Sequence, residues 1–148
     1  RIGELANLRA EDVFFSENGK EGHLYIRALE NHGERTVPLN KAAESALKKY
    51  VEVRPRTTNR TLFITKTGRP LLVRNIRTAI DRYYKKAGIT GAKVNDLRHT
   101  WVAHHLTSGT SLVLISKIAG HKRLSTTERY LSLISPRTGE EKVKLEEL

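Results

Sequence analysis

Ile2, Leu5 and Leu8 recur at helical spacing, with Glu4, Asn7 and Arg9 off that face, so the chain opens in a helix with an apolar stripe. Residues 12–15 then read as a short strand, 16–22 as its turn, 23–29 as a second strand, and 34–39 as a third after the Asn31-His32-Gly33 turn. Three strands joined by tight turns predict a small antiparallel sheet. Asn40 is placed to cap a helix with Ala43, Leu47 and Tyr50/Val51 on its inner face, ending before Pro55. Residues 62–71 resemble a short hairpin with basic residues at its tip. Helical patterns follow at 73–86 (Ile76, Ile80, Tyr83, Tyr84), stopped by Gly88, and at 95–107, with Leu97, Trp101 and the Leu106 region inward. Ser111 is placed to cap a short helix with Leu114, Ile115 and Ile118 inward, ended by Gly120; Ser125 is placed to cap another that carries Tyr130. Pro136 and Gly139 break the pattern before a charged tail that has the composition of an isolated helix. The expected fold is α+β and mainly helical, a small three-stranded antiparallel sheet and a short hairpin packed on a helical bundle.

A chain of 148 residues with 38% apolar content supports one domain with a real core. Residues 1–135 are expected to form it and 136–148 to be a tail. Arg1 falls inside a helical repeat with no initiating methionine, as expected of a piece cut from a longer protein. The formal net charge is +11, and the tail segment 140–148 is itself acidic, so the preceding residues hold 25 basic against 12 acidic side chains. That excess points to a polyanionic partner, double-stranded DNA first. The absence of cysteine excludes disulfides, thiolate chemistry and Cys-based zinc sites. No run has membrane length and no signal-peptide pattern is present, so a cytoplasmic, nucleoid-associated setting is expected.

The chemistry concentrates between Val94 and Tyr130, where a guanidinium, an imidazole and a phenol recur in Asn95-Asp96-Leu97-Arg98-His99, Ala119-Gly120-His121 and Ser125-Thr126-Thr127-Glu128-Arg129-Tyr130. Each has an ordinary alternative: Arg98 paired with Asp96 or Glu4, His121 at a helix end, Tyr130 packed in a core. With Arg1-Ile2-Gly3-Glu4-Leu5 and Glu34-Arg35-Thr36-Val37-Pro38-Leu39, these make five segments in order, 23 residues separating Arg98 from His121 and nine separating His121 from Tyr130. In that combination the chain resembles the tyrosine recombinases, or phage integrase family. The resemblance implies that Tyr130 is the nucleophile, that Arg1 and Arg98 hold the attacked phosphate, and that His121 bonds that phosphate or manages the phenolic proton. Glu4 would orient Arg1 or a neighbouring base, and His99 would be supportive. The chemical sense is independent of the family: a five-coordinate phosphoryl transition state gathers negative charge on its nonbridging oxygens, and guanidinium forks offer permanently charged paired donors there. The remaining tyrosines, Tyr25, Tyr50, Tyr83 and Tyr84, read as packing residues.

Two positions depart from the family pattern. Asn95 stands where the family has a histidine, and it can donate a hydrogen bond to phosphate but cannot shuttle a proton. The turn that should carry a lysine general acid, near Glu30, has none; His32 is the substitute, with Arg35 and Lys66 poorer. Lys66, Arg69, Arg74, Arg77, Lys122 and Arg123 are candidate phosphate contacts, each with solvated surface charge as its alternative. No metal site is expected: His104 and His105 are adjacent and read as pointing apart, and His23, His32 and His99 lack partners at ligand spacing. A phosphotyrosyl ester keeps the free energy of the broken bond, so no cofactor is expected either. The implied function is site-specific DNA strand cleavage and rejoining through a 3′-phosphotyrosyl link, by a tetramer on DNA; the tail resembles the segment that relatives dock on a neighbouring protomer, with a mobile tail as the alternative. The rivals are type IB topoisomerase-like relaxation and a DNA-binding relative that has lost the chemistry.

Overall fold

In the computed structural model, residues 1–134 are described. The tail beginning at Pro136, with its reading as a docking helix, lies outside them. Helix α1 (Ile2–Asn7) leads through a 3-10 turn (Ala10–Asp12) into β1 (Val13–Phe14), β2 (His23–Ile26) and β3 (Arg35–Pro38). The sheet is antiparallel in the order β1-β2-β3, with Leu24 opposite both Val13 and Val37. Its strands are shorter than the apolar pattern predicts. Asn18-Gly19, both at positive φ, closes one turn with the Glu17–Lys20 bridge, and Leu29 pairs with His32 to close the other over Glu30, at φ 52°.

Helix α2 (Lys41–Val53) starts as expected, with the Asn40 side chain accepting the Ala43 amide at 2.8 Å. Its inner face differs: Glu44 is buried while Ala43 and Val51 are exposed. The Glu44 carboxylate accepts the Ser16 amide and hydroxyl at 2.8 and 2.7 Å and pairs with Lys48, which ties the β1–β2 connection to the helix. The 62–71 segment keeps one bridge, Ile64 to Pro70, with Lys66 and Arg69 exposed at its tip. Helix α3 (Val73–Lys86) has its expected bounds, but Tyr83 is 62% exposed rather than packed. Tyr50 does pack, its hydroxyl donating to the Leu62 carbonyl at 3.0 Å.

Helices α4 (Val94–Thr107) and α5 (Leu112–Ala119) carry the second half of the core. On α4 the fully buried residue is Val102, while Leu97 is 52% exposed; on α5 it is Ile115, and Leu114 faces out. His104 and His105 do not point apart: their rings meet edge to face at 5.4 Å, and His105 packs on Trp101. Ser111 stands at the start of α5 without a capping bond from its side chain. Helix α6 (Leu124–Glu128) begins after Arg123, not at Ser125, and Tyr130 falls in the 3-10 turn that follows it (Arg129–Ser132). The core has two parts. Leu8, Ile26 and Leu62 pack beneath the sheet, and Val102, Ile115, Ala119 and Tyr130 pack between the helices. Each fully buried aliphatic side chain contributes about 1.5–3 kcal/mol. A cavity of about 270 Å³ lies between the two parts, reached by Arg1, Glu4, Arg35 and Arg98.

Candidate active site

The C-terminal end of α5 gathers three arginines. Gly120 turns the chain there in the left-handed conformation (φ 66°, ψ 42°), leaving the last carbonyls of the helix pointing outward as acceptors. Arg35, from β3, donates Nε to the Ile118 carbonyl at 2.7 Å. Arg98, from α4, donates to the Ala119 carbonyl at 2.5 Å. Arg1 donates to the Ala119 and Gly120 carbonyls at 3.4 and 2.8 Å. Unsatisfied carbonyls at the negative end of a helix favour cations.

One carboxylate balances them in part. Glu4 is buried on α1, where Leu5 was expected to face inward; Leu5 is 37% exposed instead. The reversal is paid for by Arg35, whose Nη1 and Nη2 donate to the two Glu4 oxygens at 2.7 and 2.8 Å, and by Arg1 at 3.4 Å. Burial pushes the Glu4 pKa up, but the hydrogen bonds and charge of Arg35, with the α-amino group of Arg1, outweigh it and bring it to about 2. Three guanidiniums and one carboxylate leave a net of 3 − 1 = +2 on this cluster. Arg98 is neither of the ion pairs considered for it: Asp96 instead accepts the Lys93 amide at the start of α4, and Glu4 pairs with Arg35. Burial, then Arg1 and Arg35, lowers the Arg98 pKa, while guanidinium remains the charged form at any ordinary pH.

Tyr130 is both the packed tyrosine and the candidate nucleophile. Its ring is buried against Val102, Ile115 and Ala119, while its Oη lies 2.6 Å from His99 Nδ1. The His121 ring lies nearly parallel to it, 14° apart in plane with centroids separated by 6.1 Å. His121 Nδ1 is 2.6 Å from the hydroxyl of the fully buried Thr127. Burial first, then the charges of Arg98, Arg1 and Arg35, lowers the His121 pKa to about 4, so its imidazole is neutral at pH 7.

The structure therefore brings together Arg1, Glu4, Arg98, His99, His121 and Tyr130. His32 stands at their margin: burial first, then the charges of Arg1, Lys122 and Arg35, lowers the pKa of its ring. Its Nδ1 is buried without a hydrogen-bond partner among the described residues. Asn95, one turn before Arg98, is exposed and lines a separate cleft with Ile2, Arg77 and Asp81. Lys66, Arg69, Arg74, Arg77, Lys122 and Arg123 are all exposed. Sequence reasoning missed two members. Arg35 was considered only as a weak proton donor, although its alternation with Val37 marks it as facing the same side of β3. Thr127, within the Tyr130 segment, carried no signal separating it from Thr126.

No helix of the described residues is long and apolar enough to cross a membrane, and no group of three or more His, Cys, Asp or Glu side chains among them is arranged to hold a metal ion.

The chain is similar to tyrosine recombinase XerC of Thermodesulfovibrio yellowstonii, 34% identical over 140 residues that cover 88% of the chain and 44% of that protein. It thus spans less than half the length of this relative. Among solved structures, that of XerA recombinase superposes with a TM-score of 0.79 at 30% identity, covering 88% of the chain and 47% of that structure. XerH site-specific recombinase bound to a palindromic difH substrate, in a post-cleavage complex, superposes with a TM-score of 0.76 at 25% identity, covering 93% and 39%. The family model described as the phage integrase family matches residues 1–135. With this match and the mainly helical fold around a three-stranded antiparallel sheet, the chain belongs to the phage integrase family of tyrosine recombinases.

Proposed function

We propose that the chain is the catalytic domain of a site-specific DNA recombinase that cleaves one strand through Tyr130 and leaves a 3′-phosphotyrosyl link. The observation that carries this reading is the convergence of Arg1, Arg35 and Arg98 on the end of α5, beside a buried tyrosine whose hydroxyl meets an imidazole. Arg1 and Arg98 take the two nonbridging oxygens of the scissile phosphate, and Arg35 with Glu4 holds them in place. His121, neutral and fixed by Thr127, donates a hydrogen bond to the same phosphate. A free 5′ hydroxyl of a second duplex then attacks the phosphotyrosine, restoring the strand and releasing Tyr130. Exchange of both strands of both duplexes requires four protomers on DNA. Lys122 and Arg123, exposed just before α6, contact flanking phosphates, as do Lys66, Arg69, Arg74 and Arg77.

His32 is the proton donor to the departing 5′ oxygen. Its buried, unpartnered Nδ1 and its place in the field of Arg1 support that role. Burial, and after it the nearby cations, lowers its pKa in the free protein, and the negative charge of an arriving phosphate opposes that shift. The test is a 5′-phosphorothiolate substrate, whose sulfur leaves without protonation. His32→Ala should cleave ordinary DNA roughly 100-fold more slowly and the sulfur substrate at the unaltered protein's rate. An equal loss on both substrates rules out the role.

A further inference from the structure

Attack by Tyr130 on a phosphodiester releases a proton, and two imidazoles flank the phenol that releases it. His121 is poorly placed to take it. Its Nδ1 is held by Thr127, its ring faces the Tyr130 ring in parallel, and its burial among Arg98, Arg1 and Arg35 disfavours the imidazolium form. Asn95 has no basic nitrogen. His99 is the described residue that hydrogen-bonds Tyr130 Oη, at 2.6 Å from Nδ1. The two rings are tilted by 41°, with centroids 5.6 Å apart, so the nitrogen meets the hydroxyl rather than the ring face. His99 is itself exposed, unlike Tyr130, which gives an acquired proton a route to water. The charged and titratable groups around the pair include Arg98 on the same helix, His121 from the turn after α5, and Arg1, Arg35 and Glu4 across the end of α5.

We infer that His99 is the proton acceptor for Tyr130, an inference that rests on Tyr130 being the nucleophile. The neutral ring carries its proton on Nε2 and accepts at Nδ1. As Oη bonds to phosphorus, the phenolic proton passes to Nδ1 and His99 becomes an imidazolium. The bond from phosphorus to the 5′ oxygen breaks, and that oxygen takes its proton from a separate acid. In rejoining, the 5′ hydroxyl attacks and gives its proton back to that separate group, the bond from phosphorus to Oη breaks, and the imidazolium returns its proton to Tyr130. A histidine one residue beyond Arg98 thus does what Asn95, three residues before it, cannot.

The experiment is single-turnover formation of the covalent adduct on nicked suicide DNA by the protein, from about pH 5.5 to 9. The unaltered protein should show a rate that rises with pH and then levels off. His99→Asn puts an amide where Nδ1 stands, keeping a hydrogen bond to Oη without a base. It should be roughly 100-fold slower and lose the plateau, its rate still climbing with pH. Added imidazole should restore part of the rate in His99→Ala. If His99→Asn keeps the rate and profile of the unaltered protein, the ring only orients the phenol and the inference is overturned. The same holds if His99→Ala binds DNA normally and imidazole does not restore it. Absence of adduct in the unaltered protein, or its persistence in Tyr130→Phe, instead overturns the nucleophile reading beneath it.

Discussion

Gly120 meets two separate demands. Its φ of +66° is costly for any residue with a Cβ, and a Cβ there would lie 2.8 Å from Arg35 Cζ. Arg35 cannot swing away without releasing both oxygens of Glu4. Gly120→Ala should therefore cost about 1–2 kcal/mol of stability in thermal or denaturant unfolding and slow cleavage by more than that destabilisation explains. Thr127→Val tests the other support. It preserves shape in a fully buried position but removes the partner of His121 Nδ1. Unfolding should show a loss of about 1–3 kcal/mol, and adduct formation should slow while DNA affinity stays constant. At this scale the sequence was most legible where a residue type is tied to its chemistry, as with Arg1, Arg98 and His121. It was least legible for Arg35, for Thr127 and for the burial of Glu4. The burial of Glu4 depends on a partner 31 residues away, which no local periodicity encodes.

Among the elements, α5 and its terminal turn organise the site, because their carbonyls fix arginines arriving from three other parts of the chain. Helices α2 and α3 could be read almost to the residue, since Asn40 and Gly88 punctuate strong helical patterns. The α5 pattern was ambiguous because nearly every position is apolar, so periodicity could not tell that Leu114 faces out and Ile115 in. The 3-10 turn bearing Tyr130 was invisible for a different reason: its geometry is imposed by packing Tyr130 onto α4 and α5. These elements also set the acid response. The His121 pKa is lowered in the fold, so the unfolded chain binds its proton first, and stability falls as pH drops from about 6.5 toward about 4. Glu4 and Glu44, both brought to about 2, contribute stability that is present above about 4.5 and is lost between there and about 2. Melting temperatures should thus decline in two stages on acidification. His121→Gln should remove the upper stage only, and Glu44→Gln should weaken the lower one. A flat profile from pH 6.5 to 4 in the unaltered protein would contradict the buried, neutral His121.

For the whole molecule, a net charge of +11 and six exposed Lys and Arg side chains at the candidate phosphate contacts imply DNA affinity that falls steeply with salt. The logarithm of the binding constant should decrease linearly with the logarithm of salt concentration. Changing Lys122 and Arg123 together to Ala should lower the slope by about 1–2, without altering the pH profile of cleavage. An unchanged slope would remove those two side chains from the DNA surface. The α+β class, the three-stranded order of the sheet and the family were all legible from the sequence. The meeting of the two core halves at Arg1, Glu4, Arg35 and Arg98 required the fold. Covalent trapping tests the central claim most directly. The protein is incubated with nicked suicide duplexes carrying candidate sites and resolved on denaturing gels beside Tyr130→Phe. A shifted, protease-sensitive DNA species that vanishes in Tyr130→Phe is the predicted result. No adduct on a site that the protein binds tightly would contradict it, and would leave a DNA-binding domain that assembles the cluster without using it for chemistry.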